Sequence, residues 1–534
     1  MNIDDLEGLD EDTRKELEEL QKVTREGGGT AFAQAQFGIY NHRIDNKQYN
    51  LALEALKKIR KTDDKEYYEL ARMNISVIKY NHENSLEEAS EILVELLSDN
   101  SWVSSIASRY AFKFAKDYLS KKEYGKSIKL FRLVSHTYPY ESYCYDKIHS
   151  FLLEPETETL GKAFIELLDK ILSVVDILRL DFGQLSDAEK APERKLAHYT
   201  GTYTTEKLLA IEKAKGRPSL FRLNTINNVN DPSEGQLLLN NLKGVTETSF
   251  YAPDFDEKLH AFISCFTFNH DSLNQFRLYG KQDNKEASGI SLVFNQNFFQ
   301  KHDSTAGLSY VAFEYSLQKI SATSIQRSTD EKSIERIKKQ PVMRCVYLDP
   351  TSNYIHLAQR NRLTFFREFN DDTAQAGSEK ISKAEHEWKS YKSFIDKKTD
   401  DFSIAFTALK THYKAIDEEM IKIEEINSRL INNIKILLNE ILLPLKYLVK
   451  HSAFQEEQEC RMIYITSLDD KKVKMEFGKF LYVEYEADVR DNLDKIYIAP
   501  AATQYQPYLS KLLCESKDKK KVRIDLSNNP YRQT

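Results

Sequence analysis

The sequence predicts a multidomain protein of α and α+β regions: an N-terminal α-helical repeat region, then a mixed α+β domain that carries a long helical insertion. Three observations predict this arrangement. Large and small apolar residues first recur at helical spacing, short aromatic and β-branched segments follow, and a long amphipathic stretch interrupts those segments. At 534 residues the chain is too long for one ordinary core, so two or three domains are expected.

Composition narrows the class of protein. The net charge of −6 gives no overall reason to expect nucleic-acid binding. The five cysteines are far apart, odd in number and without CxxC pairs, which predicts reduced thiols in a cytoplasmic protein and no metal site. The acidic N-terminus is typical of neither a signal nor a transit peptide. Charged residues and a proline interrupt the longest apolar stretch, 434–449, so no membrane span is expected.

The helical repeat domain is predicted over 31–185, after an acidic, flexible segment over 1–30 that ends in three glycines. Small residues recur in three similar segments at Ala52, Ala89 and Ser127, with offsets of 37 and then 38 residues. A second helical pattern separates the copies, so the repeat unit is two helices. The repeats resemble tetratricopeptide repeats with a longer period. Stacked pairs leave a concave surface, which favours binding of a protein partner; a scaffold without a ligand is the alternative.

The mixed α+β domain is predicted over 196–534, after a charged boundary at 184–196. Helices are expected at 204–214 and 508–515, and the helical insertion at about 378–450. The insertion is expected to form a hairpin packed on the sheet or on the repeats, with a lid or a dimerisation arm as the alternative. A homo-oligomer therefore stays open. Turn residues bound eight predicted strands: 219–224, 260–266, 289–294, 342–348, 460–465, 480–485, 495–499 and 522–526.

Six short polar motifs lie among these strands. Each has a structural explanation, such as a turn or a salt bridge, and their order along the chain suggests one polar site assembled from distant segments. The motifs are His198-Tyr199-Thr200, Asn230-Asp231-Pro232-Ser233-Glu234, Ser264-Cys265-Phe266, Phe276-Arg277-Leu278-Tyr279-Gly280, Glu457-Gln458-Glu459-Cys460-Arg461 and Ser527-x-x-Pro530-Tyr531-Arg532.

The side chains of two motifs suggest ligand contacts. His198 can donate a hydrogen bond to a ligand hydroxyl, and Tyr199 offers a flat face for stacking. The guanidinium of Arg277 can bind phosphate or carboxylate; a salt bridge to Asp231, Glu234 or Glu459 is the alternative.

Strand alternation is expected to put Glu457, Glu459 and Arg461 on one face of a strand. A carboxylate in this row can hold a ribose hydroxyl and stabilise an oxocarbenium-like centre. A structural Glu–Arg ladder is the alternative. At the end of the chain, the Pro-Tyr-Arg segment after the last strand suggests that the tail packs back on the domain.

From residue 196 to residue 534 the chain resembles the bacterial family known as domain of unknown function 2971. The resemblance rests on the six motifs in order and on the Gly289-Ile290 pair that opens a predicted strand. Phe276 stands where that family usually has tryptophan, and the insertion before Glu457 is a further departure. The layout is in turn similar to ADP-ribosyltransferases, which implies an ADP-ribosyltransferase-like fold with NAD as the substrate.

The resemblance also implies roles for particular residues. His198 would hold the NAD ribose, and Tyr199 or Tyr279 would stack on nicotinamide. Glu459, or Glu457, would be the catalytic carboxylate. The remaining candidates for binding NAD are Arg277, which would face the diphosphate, and Asn230, Ser264 and Arg461.

Related domains with helical repeats resemble bacterial toxin and phage-defence effectors. The implied function is an NAD-consuming transferase that moves ADP-ribose to a protein or nucleic-acid acceptor. Two alternatives stay open. One is a non-enzymatic module that binds a nucleotide-like or phosphorylated ligand through Arg277, Arg461 and Arg532, and the other is an effector that acts on nucleic acid.

Overall fold

The chain divides into two compact units, Met1–Leu153 and a second unit that begins at Glu154. This division falls before the predicted boundary at 184–196, because the helix Glu158–Leu178 packs with helices of the second unit. The computed structural model describes residues 11–97, 101–180, 182, 193, 195–211, 217–228, 235–244, 257–281, 285–300, 336–352, 354–369, 373–376, 379–424, 428–514 and 522–531.

The described part of the first unit is helical, as predicted, and long and short helices alternate over residues 29–133. Each predicted repeat segment opens a short helix, and a longer helix of 17 to 19 residues precedes each one. Each long helix packs on the short helix after it, and each short helix packs on the next helix along the chain. The helices are α1 (Glu11–Gln21), α2 (Gly29–Asp45), α3 (Tyr49–Lys57), α4 (Lys65–His82), α5 (Leu86–Leu96), α6 (Trp102–Ser120), α7 (Tyr124–Leu133) and α8 (Pro139–Leu153).

The repeat period also appears in the turns between paired helices. Lys47, Asn84 and Lys122 each have a positive φ, between 53° and 62°. They occupy the same place in successive units, directly before a short helix. Small buried residues at Ala52 and Ala89 let the paired helices approach closely. The sequence period therefore reflects one repeated turn geometry.

The turn at Lys47 provides a test of this geometry. A side chain in the left-handed region costs about 1 kcal/mol, and glycine avoids most of that cost. We expect Lys47→Gly to raise the free energy of unfolding by about 0.5 kcal/mol. Lys58, an exposed helix-end lysine with φ −72°, is the matched control. Lys58→Gly should be neutral or destabilising in urea unfolding, and equal effects of the two changes would contradict the explanation.

In the described part of the N-terminal segment, the helix α1 packs on α2. Leu17 of α1 is fully buried against Ile39 and Ala55. Gly28 has a φ of 123° at the start of α2, and a Cβ on Gly29 would lie 2.6 Å from the Asp63 carbonyl oxygen. The glycines therefore allow a close helix start, and residues 1–10 lie outside the described residues.

The second unit contains a large mixed sheet, and all eight predicted strands are confirmed, although the segment 342–348 forms two. In the described residues ten strands form this sheet, in the order β12-β13-β2-β3-β1-β4-β14-β15, with β11 paired to β3 and β5. Two small sheets have the orders β10-β6-β7 and β8-β9. The strands are β1 (Lys195–Thr200), β2 (Arg222–Thr225), β3 (His260–Thr267), β4 (Ile290–Asn295), β5 (Met343–Arg344), β6 (Val346–Leu348), β7 (Ile355–Leu357), β8 (Thr373–Ala376), β9 (Glu379–Ser382), β10 (Val449–His451), β11 (Glu459–Thr466), β12 (Val473–Glu476), β13 (Phe480–Glu484), β14 (Leu493–Ile498) and β15 (Arg523–Leu526).

The helical insertion is confirmed as two consecutive helices, α14 and α15. Both pack on α9, and α15 ends three residues before β10. No described helix is long and apolar enough to cross a bilayer. The helices of this unit are α9 (Glu158–Leu178), α10 (Thr202–Leu209), α11 (Leu237–Lys243), α12 (Leu273–Leu278), α13 (Arg362–Glu368), α14 (Lys383–Glu424), α15 (Ser428–Lys446), α16 (Val489–Asn492) and α17 (Gln506–Cys514).

Candidate functional site

The large sheet is open along one edge of its central strand β3. On one side β11 pairs with β3 over its full length. On the other side β2 pairs only with Phe262 and Ile263, and β1 only with Thr267. Within the described residues no strand pairs with residues 264–266 on that side. A cavity of about 390 Å³ lies at this opening, a volume typical of a small-ligand pocket.

Seven of the predicted site residues meet at this cavity. They come from β1, β3, the end of α12, and the segment that leads into and along β11. The residues that line it are His198, Tyr199, Ser264, Tyr279, Glu457, Glu459 and Arg461. Asn230, with the motif that contains it, and Arg532 lie outside the described residues.

The strand register explains how both faces of the sheet reach one cavity. Cys265 lies opposite Arg461, and Thr267 opposite Glu459, so these side chains share one face. Ser264 lies one residue before Cys265, and His198 lies one residue after Ala197, which is opposite Thr267. Because side chains alternate along a strand, His198 and Ser264 point to the other face of the sheet. Because β1 and β2 diverge here, the opening between them joins the two faces.

His198 has a defined tautomer. Its Nδ1 lies 2.9 Å from the Cys265 carbonyl oxygen, which can only accept, so Nδ1 carries the proton. Burial lowers the pKa of the imidazole, so the ring is neutral near pH 7 and Nε2 is an acceptor. The expectation that His198 donates to a ligand hydroxyl therefore needs correction. In this geometry the ligand would be the donor.

The two tyrosines are held differently. The Tyr199 hydroxyl donates to the Asn269 carbonyl at 2.7 Å and accepts from the Ser272 amide at 2.9 Å. Its ring meets the buried Phe276 ring edge to face. Tyr279 is half-buried and lines the cavity. Of the two rings proposed to stack on a ligand, Tyr279 is the more accessible.

Ser264 supplies a hydroxyl without a protein partner. The residue is only 5% exposed and lines the cavity, and its Oγ has no hydrogen-bond partner among the described residues. A buried hydroxyl left unpaired costs about 1–3 kcal/mol, so a polar ligand atom that meets it gains binding energy.

Four charged side chains form a buried cluster on one wall of the cavity. The Lys450 ammonium lies 2.5 Å from a carboxylate oxygen of Glu457 and 2.5 Å from one of Glu459. Arg461 donates to Glu459 through Nε at 2.7 Å, and to the Tyr447 carbonyl. Two cations thus balance two carboxylates, as burial of charge requires.

The protonation of this cluster follows from burial and pairing. Although burial disfavours an ammonium, Glu459 and Glu457 raise the pKa of Lys450 well above its usual value. Burial raises the pKa of the Glu459 carboxyl, against the attraction of Lys450. Burial and the neighbouring Glu459 raise the pKa of the Cys265 thiol, which disfavours a thiolate nucleophile.

Sequence reasoning missed Lys450 and misplaced Glu457. The only sequence signal for Lys450 is a single lysine at the end of the apolar segment Leu448-Val449-Lys450, directly after the insertion. Glu457 ends a 3-10 helix, and the left-handed Gln458, with φ 45°, separates it from β11. The predicted strand alternation is therefore wrong for Glu457 and correct for Glu459 and Arg461.

Arg277 does not reach the cavity. It lies on α12 with its side chain 50% exposed and forms a 2.9 Å ion pair with Glu286. The alternative salt bridge to Glu459 is not formed, because the short helix turns Arg277 outward while Tyr279 turns inward. The other two alternative partners, Asp231 and Glu234, lie outside the described residues.

The closing motif packs back on the domain, as predicted. Ser527 Oγ donates to Asp271 at 2.6 Å, and Asn529 Nδ2 donates to the same carboxylate oxygen at 2.7 Å. Tyr531 packs against the core of the unit. Asp271 belongs to the loop between β3 and α12, so the tail supports the loop that leads to Tyr279.

A second, more polar cavity of about 820 Å³ is lined by the same loop and by the half-buried His270. Its acidic and basic side chains include the ion pairs Lys195–Asp494 and Arg360–Glu368. No group of three or more His, Cys, Asp or Glu side chains that could hold a metal ion is found in the part of the chain that the structure describes.

His270 should make stability depend on pH. Its Nε2 donates to the Lys195 carbonyl, and burial lowers the pKa of the imidazole to about 4. Between about pH 6.5 and pH 4 the unfolded chain binds a proton that the folded chain excludes, so stability falls as the pH falls. Because the ring is partly exposed, we expect the free energy of unfolding to fall by about 2–3 kcal/mol over this pH range.

The variant His270→Gln keeps an amide that can donate to Lys195. Its free energy of unfolding in urea should fall less than that of the wild type between pH 7 and pH 4. Equal losses in the two proteins would contradict the assignment to His270.

A scan against models of protein families, a search of curated proteins and a search of solved structures each found no match. The resemblance to the domain of unknown function 2971 family and to ADP-ribosyltransferases therefore stays a prediction.

Proposed function

We propose that the second unit is an ADP-ribosyltransferase-like domain that binds NAD at the opening in its sheet and transfers ADP-ribose to a protein or nucleic-acid acceptor. The observation that carries the proposal is the meeting of His198, Ser264, Tyr279 and two buried carboxylates at one opening in the sheet. These residues were selected from four separate sequence motifs, and a shared cavity is the first requirement for a shared function.

The proposed reaction needs few protein groups. The bond between nicotinamide and ribose C1′ breaks, and nicotinamide leaves with the electron pair. The acceptor's nucleophile then forms the new bond to C1′ and loses its proton to solvent or a base. His198 Nε2 would accept from a ribose hydroxyl, Tyr279 would stack on the ring, and a carboxylate would stabilise positive charge that develops at C1′.

The charge of the cavity favours this reaction over phosphate capture. Lys450 and Arg461, the cations that line the cavity, are both paired with carboxylates. An anion placed there would compete with Glu457 and Glu459, and a cation would compete with Lys450 and Arg461, whereas a neutral ribose hydroxyl would not. A ribose hydroxyl therefore suits this wall of the cavity better than a phosphate.

The test is NAD turnover and transfer of label from NAD labelled in its ADP-ribose portion. We expect the wild type to release nicotinamide, and Glu457→Gln or Glu459→Gln to reduce that release at least tenfold. Glu476→Gln, which alters an exposed carboxylate on β12, is the matched control and should retain wild-type turnover. No NAD binding by the wild type, or full turnover in both cavity variants, would contradict the proposal.

The second candidate is a binding module without catalysis. It is favoured by the three charged donors on Glu459, which already use most of the acceptor positions of that carboxylate. A rise in melting temperature with NAD, without nicotinamide release, would favour this function.

The first unit would recruit the protein partner. Its two-helix units, stacked in sequence order, support a tetratricopeptide-like role in which small residues at helix crossings build a recognition surface. A bacterial toxin or phage-defence setting in the cytoplasm is part of the same proposal.

A further inference from the structure

The two carboxylates of the cavity are held in unequal ways. Arg461 holds Glu459 through Nε at 2.7 Å and through a terminal nitrogen at 3.2 Å, and Lys450 adds a third charged donor. The Glu459 backbone is fixed as well, since its amide donates to the Tyr347 hydroxyl. Exchange of a ligand for any of these side-chain donors would break a buried ion pair.

Glu457 has one cation and one neutral donor. Its Oε2 accepts from Lys450, and its Oε1 accepts from the Tyr279 hydroxyl. Tyr279 is half-buried at the cavity, so a ligand hydroxyl can take its place at Oε1 without breaking an ion pair. Glu457 is therefore the carboxylate with an exchangeable position.

Lys450 links the two carboxylates and uses two of its three N–H donors on them. Its side chain is 4% exposed, its ammonium bridges Glu457 and Glu459, and it also lies 5.1 Å from the centre of the Phe454 ring. Lys450 belongs to β10, the strand directly after the insertion. Glu459 is held by Arg461 in addition to Lys450.

We propose that Glu457 is the carboxylate that contacts the ligand and that Lys450 is the positioning residue. Until the ligand enters, the Tyr279 hydroxyl occupies the ligand's position at Glu457 Oε1. Glu459 and Arg461 form the fixed support of Lys450. This inference rests on the proposed function for the identity of the ligand, and on the cluster alone for the division of roles.

The first experiment separates the carboxylates with NAD as the probe and the full-length chain. We expect Tyr279→Phe, which keeps the ring and removes the competing hydroxyl, to lower the KM for NAD several-fold with little change in kcat. The same change in a Glu457→Gln background should leave KM unchanged. A several-fold rise in KM on Tyr279→Phe would overturn the exchange, because the hydroxyl would then bind the ligand itself.

The second experiment tests Lys450 as a positioning residue. Without the ammonium, two close buried carboxylates retain a proton between them. We expect Lys450→Met to lower kcat at least tenfold and to move the acid limb of the pH profile upward by one unit or more. Lys450→Arg should restore the limb. A loss of kcat in Lys450→Met with an unshifted limb would indicate a merely structural role and overturn the assignment.

The third experiment needs no ligand. Glu459→Gln leaves Arg461 and Lys450 short of a counter-charge, so it should lower the melting temperature clearly more than Glu457→Gln. Equal losses would overturn the division of roles. If wild-type chain fails to bind NAD while the melting order is as expected, the proposed function fails and the division of roles stands.

Discussion

Replacing Gly289 with alanine is expected to destabilise the second unit by about 3 kcal/mol, the upper end of the cost of forced overpacking in a core. A Cβ at this position would lie 2.4 Å from the Gly280 Cα and 2.6 Å from the Thr200 carbonyl oxygen. Both obstacles are backbone atoms, so no side-chain rotation relieves the clash. The strand β4, which starts at Ile290, would have to move away from the end of α12.

The clash would also disturb the candidate site. Gly280 follows Tyr279 directly, and the Ser288 amide donates to the Gly280 carbonyl at 3.0 Å. A shift of Gly280 would therefore displace the Tyr279 ring, which is proposed to stack on the ligand. We expect weakened NAD binding together with the loss of stability.

The measurement is urea unfolding of Gly289→Ala beside Gly125→Ala. Gly125 lies in α7 with nothing within 4 Å of its added Cβ, so alanine there should stabilise the chain by up to about 1 kcal/mol. A free energy of unfolding for Gly289→Ala within a few tenths of a kcal/mol of the wild-type value would contradict the predicted clash between position 289 and Gly280.

Local pattern was enough to predict the elements of this fold. Short aromatic and β-branched segments bounded by turn residues identified strands such as β3 and β11, which are buried along nearly their whole length. The 37- and 38-residue offsets found the short helices of the repeats, because each small residue marks a helix crossing. Each signal is a short local pattern, and the repeat offset compares such patterns along the chain.

The opening in the sheet could not be predicted in the same way. It depends on β1 and β2 sharing one edge of β3, and such pairings join residues that are distant in sequence. Lys450 was missed for a different reason: Glu457 and Glu459 are only seven and nine residues away, but they reach it because the chain turns back through a 3-10 helix. The turn itself uses Gln458, a residue type with no preference for positive φ, so nothing in the sequence marked the break before β11.

Replacing Arg461 with methionine is the second change for which we expect a large effect. Arg461 is 1% exposed, and its loss would leave the Glu459 carboxylate with Lys450 as its remaining cation, shared with Glu457. Removal of one partner from a buried ion pair costs about 3–5 kcal/mol, since the other charge stays desolvated. The Tyr447 carbonyl would lose its donor as well.

The double variant Glu459→Gln/Arg461→Met distinguishes unpaired charge from lost packing. Because it removes the stranded carboxylate with the guanidinium, it should be more stable than Arg461→Met alone in urea unfolding. Arg277→Met, which breaks the exposed pair with Glu286, is the matched control and should leave the free energy of unfolding nearly unchanged. If Arg461→Met were as mild as Arg277→Met, the buried cluster would be hydrated in solution, and its carboxylates would lack the desolvated setting that the proposed chemistry requires.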